Sequence, residues 1–288
     1  MLLLLASMTL SMPALSQDLP DINTVPQDLQ TPTLEEGLPE PGRRLRIVAH
    51  DYQGSSVYHS LYLPTDWEKG RKYPVIVEYA GNGPFRNKYG DTSTGQIEGC
   101  NLGYGISGGE GFIWVCLPFI SEDHQQNQRK WWGDVQATVE YCKTAVADIC
   151  KNFGGDPNAV FLTGFSRGSI ACNYIGLHDD EIANLWQGFI CHSHYDGVKK
   201  WPYAGSDRAS AAVRLKRLKN RPQFISREAA VAETRKYLEQ ACPDGNFTFQ
   251  ALPYRNHTDA WALRDIPFRL AVREWLRDIL EEPEVKEE

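Results

Sequence analysis

Apolar and polar positions along the chain repeat with two periods. Short apolar runs bounded by glycine or proline predict buried strands, whereas apolar residues spaced three or four apart predict helices. The predicted strands are 45–52, 57–63, 73–79, 111–118, 159–163, 186–192, 222–226 and 247–252, and the predicted helices are 134–152, 229–241 and 265–280. The first two strands form a predicted hairpin. Strands that alternate with helices predict an α/β fold, with a mostly parallel central sheet flanked by helices on both faces.

Segments that lack both periods flank this region. Residues 1–16 are apolar or small, which is typical of a secretory signal peptide and predicts a secreted or periplasmic protein. No Lys or Arg precedes Arg43, so a buried apolar N-terminus is the alternative. Residues 17–44 are rich in Pro, Asp, Glu and Gln and predict a flexible linker, and residues 282–288 predict a disordered acidic tail. A single α/β domain over 45–281 remains, without a further apolar run that could span a membrane.

Charge and cysteine content indicate which kinds of partner and compartment to expect. The formal charge is -7 and the isoelectric point about 5.6, which gives no indication of nucleic-acid binding. Export would place seven cysteines in an oxidising compartment. Apolar surroundings favour a core position for Cys116, Cys172 and Cys191, which leaves Cys100, Cys142, Cys150 and Cys242 as disulfide candidates with open connectivity. No C-x-x-C pair supports a zinc or redox motif.

One glycine-rich motif carries chemistry. Gly164-Phe165-Ser166-Arg167-Gly168 follows the predicted strand 159–163 and precedes a helix. A G-x-S-x-G sequence between a strand and a helix is the pattern of a nucleophile elbow, in which the serine sits on a strained turn beside the helix N-terminus. An ordinary glycine-rich strand–helix turn is the alternative.

From this motif onward the chain resembles the α/β-hydrolase superfamily, over about 45–280. It looks closest to the polyesterase, feruloyl esterase and dienelactone hydrolase-like branches. The resemblance implies the order nucleophile, acid, histidine. His257 is then the base, because it follows the last predicted strand and no other histidine lies downstream of His194. Glu228, after strand 222–226, is the predicted acid; Asp196 is its main rival and Glu233 a more distant one.

The same resemblance implies an oxyanion hole. Its donors are the N–H of Arg167, which follows the nucleophile, and the N–H of Gly81, with Ala80 as the alternative. Two roles are open for the Arg167 side chain: it either adds charge to the hole or clamps a substrate carboxylate, or it forms a surface salt bridge. Glucuronoyl esterases also have Ser-Arg at the elbow, but with one more residue before the next glycine.

Aromatic and histidine pairs predict the substrate pocket. The predicted substrate-binding residues are Trp131, Trp132, His192 and His194, and Trp201, Tyr203 and Trp261 are expected at an aromatic rim. Core packing is the alternative for the tryptophans. The two histidines have no third ligand at matching spacing, so we expect neither a metal site nor a cofactor.

Together these features predict a serine hydrolase that cleaves carboxylic esters through an acyl-enzyme intermediate. The expected partner is a small or polymeric ester: a plant or algal carbohydrate-linked or aryl ester, or a polyester. A peptidase of the prolyl-oligopeptidase type is the first alternative, although the N-terminal region is too short for a propeller domain. A catalytically inactive binding protein of the same fold is the second. The oligomeric state stays open.

Overall fold

A computed structural model describes residues 19–281 of the chain. The strands are β1 (Leu34–Glu35), β2 (Arg44–Ile47), β3 (His59–Tyr62), β4 (Tyr73–Tyr79), β5 (Phe85–Arg86), β6 (Thr92–Ser93), β7 (Ile113–Leu117), β8 (Gly155–Phe165), β9 (Gly188–His192), β10 (Gln223–Glu228) and β11 (Phe247–Leu252). The helices are α1 (Leu102–Ser107), α2 (Val135–Asn152), α3 (Arg167–Tyr174), α4 (Asp180–Ala183), α5 (Arg208–Leu215), α6 (Ala232–Ala241) and α7 (Pro267–Glu281). Short 3-10 helices lie at Ile22–Thr24, His50–Tyr52, Ile97–Gly99, Lys216–Leu218 and Ala260–Leu263.

Nine of the strands form the central sheet, in the order β1-β2-β3-β7-β4-β8-β9-β10-β11. Strand β3 is antiparallel to both of its neighbours, and every pair from β7 to β11 is parallel. Strands β5 and β6 pair separately as an antiparallel hairpin. The predicted α/β fold with a mostly parallel sheet is confirmed.

Helices cover both faces of this sheet, as the apolar pattern predicted. In β4, Val75 and Val77 point into one core layer and Ile76 into the other, because successive strand residues face opposite sides. The first layer is completed by buried residues of α2, α3 and α6, and the second by those of α1 and α7. The strand ends that carry the predicted site residues are therefore held between two packed layers.

Predicted and observed elements agree closely where the apolar pattern is strong. Strands β4 and β11 have the predicted bounds, and α2 begins one residue after Asp134, whose carboxylate accepts the N–H of Ala137 at 2.9 Å. Helix α1 was not predicted because its sequence is rich in glycine. These glycines serve close packing: a Cβ on Gly103 would lie 2.1 Å from the Trp114 ring, and one on Gly105 2.4 Å from the carbonyl oxygen of Ala262.

The predicted flexible linker over 17–44 is wrong from residue 19 onward. Ile22 is fully buried, and its N–H donates to Asn256 Oδ1 at 2.8 Å. The Asp28 carboxylate pairs with the buried Arg269 of α7 at 2.6 Å, and β1 adds to the edge of the sheet. The segment has no periodicity because it is fixed by single side chains rather than by a continuous apolar face.

The structure does not test the predictions for the two termini, but it does show the state of the cysteines. The predicted signal peptide (1–16) and acidic tail (282–288) lie outside the described residues. Within 19–281, no helix combines the length and apolar character needed to cross a membrane. All seven cysteines are free, so the four disulfide candidates form no bond in this structure.

Candidate active site

Ser166 lies on a strained turn between β8 and α3. Its backbone has φ 55° and ψ -111°, a left-handed conformation that non-glycine residues rarely adopt. The flanking glycines allow this turn to pack tightly. A Cβ on Gly164 would lie 2.2 Å from the carbonyl carbon of Gly168, and one on Gly168 would lie 1.9 Å from the Tyr79 carbonyl oxygen. The G-x-S-x-G pattern is therefore a packing requirement of this elbow.

Three side chains form a continuous hydrogen-bonded chain at the elbow. His257 Nε2 lies 3.2 Å from Ser166 Oγ, and His257 Nδ1 lies 2.7 Å from Glu228 Oε1. Because a carboxylate only accepts hydrogen bonds, Nδ1 carries the proton and Nε2 is free to accept the Ser166 hydroxyl proton. The structure thus brings the predicted nucleophile, base and acid together from the ends of β8, β11 and β10.

Electrostatics keep the Glu228 carboxyl ionised. Its burial raises the pKa, but the hydrogen bond with His257 and the charges of His192 and His257 lower it by more. The net result is a pKa of about 2, well below the ordinary value. A charged carboxylate in this position stabilises the protonated form of the His257 ring.

The two rival acids have other partners. The Asp196 carboxylate is buried and accepts two hydrogen bonds from Arg214, at 2.9 Å and 3.1 Å. Burial raises its pKa to about 6, despite the opposing charge of Arg214. Glu233 pairs with Arg227 at 3.2 Å on the surface. Neither rival contacts His257, so the geometry favours Glu228.

Two residues that the sequence did not indicate support His257. Asp91 Oδ2 accepts the main-chain N–H of His257 at 2.9 Å, and Asp91 Oδ1 accepts the side-chain amide of Asn256 at 2.8 Å. Ser193 has φ 87° and places its Oγ 3.0 Å from His257 Nδ1. Both lie in irregular segments without a motif, so no sequence signal could have found them.

The Arg167 side chain points away from the reacting centre into the protein. It is 1% exposed, and its guanidinium lies 4.1 Å from the centre of the Phe119 ring. It donates to five main-chain carbonyls, those of Ala80, Gly81, Gly95, Gln128 and Trp131. Burial lowers its pKa to about 9. Neither the predicted substrate clamp nor a surface salt bridge occurs, because its donors hold the surrounding loops together.

This guanidinium also orients the loop after β4. In a planar trans peptide the N–H points opposite to the C=O. Because Arg167 holds the carbonyls of Ala80 and Gly81, the N–H groups of Gly81 and Asn82 point away from it. Among residues 19–281, no acceptor pairs with the N–H of Gly81 or Arg167. Asn82 lines the cavity at Ser166, whereas the predicted donor Gly81 lines an adjacent cavity.

A cavity of about 240 Å³ opens at Ser166. Its walls are largely aromatic and comprise Asn82, Phe85, Ser93, Trp131, Phe165, Arg167, Ile170, His194, Trp201 and His257. Two of the four predicted substrate-binding residues, Trp131 and His194, therefore line it. A larger cavity, of about 640 Å³, lies between α2 and the turn before β3, but no member of the Ser166–His257–Glu228 chain borders it.

The other two predicted pocket residues are core residues. Trp132 stacks on Tyr174, with ring centroids 4.6 Å apart, and is 4% exposed. His192 is fully buried in β9, and its Nδ1 lies 2.8 Å from Ser226 Oγ. Residues two apart in a strand lie on one face, so His192 and His194 would share a face if β9 continued regularly. The positive φ of Ser193 breaks the alternation, so only the second histidine reaches the cavity.

One group of side chains in the described part of the chain has metal-ligand spacing. Ligand atoms of Glu78, Cys100 and Cys116 lie within 4.8 Å of one another. The Glu78 carboxylate already accepts two N–H groups of α1 and the Trp114 indole N–H. The Arg44 guanidinium also lies 3.5 Å from the Cys116 sulfur, and a fixed positive charge disfavours a bound cation. This donor set therefore does not fit a metal site.

Comparisons with known proteins identify the fold. Neither a family model nor a curated protein sequence matches the chain. The structure is similar to that of esterases from Rhizomucor miehei, with a TM-score of 0.58 and 14% identity over 84% of this chain and 85% of that one. A thermostable esterase matches with a TM-score of 0.50 and 13% identity, over 82% of this chain and 62% of that one. The AtxE2 isopeptidase matches with a TM-score of 0.51 and 15% identity, over 85% of this chain and 41% of that one. The chain therefore has the α/β-hydrolase fold, and it spans less than two thirds of the length of the last two proteins.

Proposed function

We propose that this protein is a serine hydrolase of carboxylic esters. The observation that carries the proposal is the hydrogen-bonded chain from Ser166 through His257 to the ionised Glu228, built on a strained elbow. A nucleophile, a base and an orienting acid in this order are what acyl transfer through a covalent intermediate requires. The esterase structures of the same fold add support of a general kind.

The geometry supports a two-step reaction. Ser166 Oγ attacks the ester carbonyl carbon while its proton moves to His257 Nε2, and the oxyanion is held by the N–H of Arg167 and that of Gly81 or Asn82. The bond to the leaving oxygen then breaks as Nε2 returns the proton to that oxygen, which releases the alcohol. Water, deprotonated by His257, attacks the acyl-enzyme, releases the acid and restores Ser166.

The cavity supports an ester with a ring rather than a long flexible chain. Phe85, Trp131 and Trp201 present aromatic surfaces beside Ser166, and such surfaces suit aryl groups and the C–H faces of sugar rings. Arg167 is the only Lys or Arg lining the cavity within the described residues, and its guanidinium donors are used by carbonyls. We therefore propose a neutral carbohydrate-linked or aryl ester, or a polyester, as the substrate.

The same geometry also fits amide hydrolysis, which keeps a peptidase as the second candidate. The observation that favours it is the shared architecture with an isopeptidase, although this chain spans only 41% of that protein. The inactive binding protein has no comparable support, because such a protein has no need of the aligned hydrogen bonds at Ser166. Parallel assays on p-nitrophenyl acetate and on a peptide p-nitroanilide separate the two activities.

One experiment tests the nucleophile directly. Wild type, Ser166→Ala and the control Ser210→Ala are compared for hydrolysis of p-nitrophenyl acetate and for labelling by a fluorophosphonate. Ser210 lies on α5, and among residues 19–281 its hydroxyl hydrogen-bonds only to the Asp207 carboxylate. We expect wild type and the control to be active and labelled, and Ser166→Ala to be neither. An unlabelled, inactive wild type would refute the proposal.

We also propose that the protein is exported. The support is the apolar pattern of residues 1–16, which ends in Ala14-Leu15-Ser16 before Gln17. N-terminal sequencing of the protein recovered from a secreting host tests this. We expect a mature chain that begins at Gln17, whereas an intact Met1 would contradict the proposal.

A further inference from the structure

A second imidazole faces the reacting centre. His194 follows β9 and the strained Ser193, and its main-chain carbonyl accepts a hydrogen bond from the Ser169 hydroxyl of α3. Its ring lies 5.2 Å from that of His257 and 5.1 Å from that of Trp201, measured between centroids. The side chain lines the cavity at Ser166. The ring is thus held at a defined place beside the base.

This ring has hydrogen-bonding capacity that the protein does not use. His194 is half-buried at the cavity wall, and within residues 19–281 its one hydrogen bond is made by its main-chain carbonyl, not by a ring nitrogen. Burial, and then the charge of His257, lowers its pKa to about 3, so the ring stays neutral at ordinary pH. A neutral imidazole offers one N–H donor and one nitrogen acceptor. A hydroxyl group, which both donates and accepts, can pair with either nitrogen.

The position of His194 indicates which part of the ester it contacts. His257 Nε2 must reach the leaving oxygen to protonate it, so the alcohol part lies beside the His257 ring. His194 and Phe85 both flank that ring, each with its centroid 5.2 Å away. The main-chain donors for the oxyanion belong to other segments, those at Arg167 and at 81–82. His194 therefore borders the alcohol rather than the oxyanion.

We propose that His194 is a specificity-determining residue that hydrogen-bonds a hydroxyl group adjacent to the ester oxygen on the leaving alcohol. The preferred substrates are then esters of vicinal diols, either on a sugar-like ring or at a glycol end of a polyester. Phe85 and Trp201 provide the apolar walls against which such an alcohol packs. The inference rests on the proposed ester hydrolysis and adds the chemical class of the alcohol.

Matched acetate esters test this with and without the hydroxyl group. The ring pair is trans-2-hydroxycyclohexyl acetate and cyclohexyl acetate, and the open-chain pair is 2-hydroxyethyl acetate and n-propyl acetate. For each pair, the ratio of kcat/KM values is measured in wild type, His194→Phe and His194→Gln. The inductive effect of the hydroxyl group is the same for every enzyme, so it cancels when the ratios are compared.

We expect the preference for the hydroxylated ester to fall about tenfold in His194→Phe, the size of one lost hydrogen bond in a buried site. The ester without the hydroxyl group should change much less, because phenylalanine keeps the packing against Trp201. His194→Gln, which retains a donor and an acceptor, should recover part of the preference. A response confined to the ring pair identifies a sugar-like alcohol, and one confined to the open-chain pair a glycol end.

Failure of this inference can be distinguished from failure of the proposed function. Equal losses on both members of each pair would mean that His194 is only structural and would overturn the inference. So would unchanged ratios, or hydrolysis of p-nitrophenyl acetate without hydrolysis of any of the four acetates. Absence of both p-nitrophenyl acetate hydrolysis and fluorophosphonate labelling would instead refute the proposed function itself.

Discussion

Replacing Glu228 by glutamine should lower kcat/KM for p-nitrophenyl acetate by about 100- to 1,000-fold while leaving the fold intact. The amide has the shape of the carboxylate and can still contact His257 Nδ1, at the site of the present 2.7 Å hydrogen bond. It lacks the negative charge that stabilises the imidazolium in the transition state. The variant therefore isolates the charge from the packing.

The magnitude follows from the electrostatics of the site. Burial raises the Glu228 pKa, but the hydrogen bond with His257 and the neighbouring histidine charges bring it from 4.5 down to about 2. That depression corresponds to about 3 kcal/mol in favour of the charged carboxylate, or two to three orders of magnitude. Coupling between two groups is reciprocal, so the charged carboxylate stabilises the His257 imidazolium in turn, and loss of its charge should cost activity of this order.

The assay needs two controls, because a destabilised variant also loses activity. Asp196→Asn weakens the pair with Arg214 and should lower the thermal midpoint. Its kcat/KM per active site, counted by fluorophosphonate titration, should stay within threefold of wild type. Glu233→Gln changes a surface pair and should have little effect on either quantity. If Glu228→Gln retains more than a tenth of the activity while Asp196→Asn loses it, the assignment of the acid is wrong.

Three further predictions concern the fold around the site. Gly168→Ala should abolish activity and yield little folded protein, since its Cβ would lie 1.9 Å from the Tyr79 carbonyl oxygen; normal expression and activity would contradict the tight elbow. Burial and then the charge of Glu78 raise the Asp259 pKa from 3.8 to about 7. The folded state thus holds this proton more tightly than the unfolded one, so the contribution of Asp259 to stability should fall by about 2 kcal/mol from pH 5 to pH 8. The free energy of unfolding of wild type minus that of Asp259→Asn, measured with urea at the two pH values, should fall by that amount, and an unchanged difference would refute the assignment. Ile22→Ala should lower the free energy of unfolding by about 2–4 kcal/mol, whereas Leu38→Ala, at a position 78% exposed in the same segment, should have almost no effect; equal effects would contradict the fixed N-terminal segment.

The sequence predictions are accurate for elements whose shape is decided by interactions within one segment of the chain. The bounds of β4 and β11 and the helix α2 follow from apolar spacing within each segment, and there the predictions are confirmed. Helix α1 was missed because its glycines are required by contacts with Trp114 and Ala262, which lie elsewhere in the sequence. The prediction of a flexible linker was wrong for the same reason, since Ile22 contacts its partner Asn256 only after folding.

In the pocket, too, the sequence indicates which residue types are present, whereas contacts between distant segments decide where each side chain lies. A pair of neighbouring tryptophans indicates an aromatic site, but the backbone at Trp131, with φ 53°, decides that this ring lines the cavity while Trp132 packs on Tyr174. Likewise, the sequence left two roles open for the Arg167 side chain, either contact with the oxyanion or a substrate carboxylate, or a surface salt bridge. The carbonyls that gather around its guanidinium come from loops far apart in the sequence, and they bind it inside the protein.

The elbow around Ser166 could be predicted from the sequence alone, because it depends on residues close together in the chain: glycines where a Cβ has no room, and an apolar strand that leads into a helix. The order of nucleophile, acid and histidine came instead from the resemblance to the α/β-hydrolase superfamily. The preference for Glu228 over Asp196 depends on the tertiary structure, because both carboxylates lie at or shortly after the end of a strand. The loop after β11 brings His257 to Glu228, while α5 brings Arg214 to Asp196. A carboxylate takes its role from the charge that packs against it, and that neighbour is set by the fold.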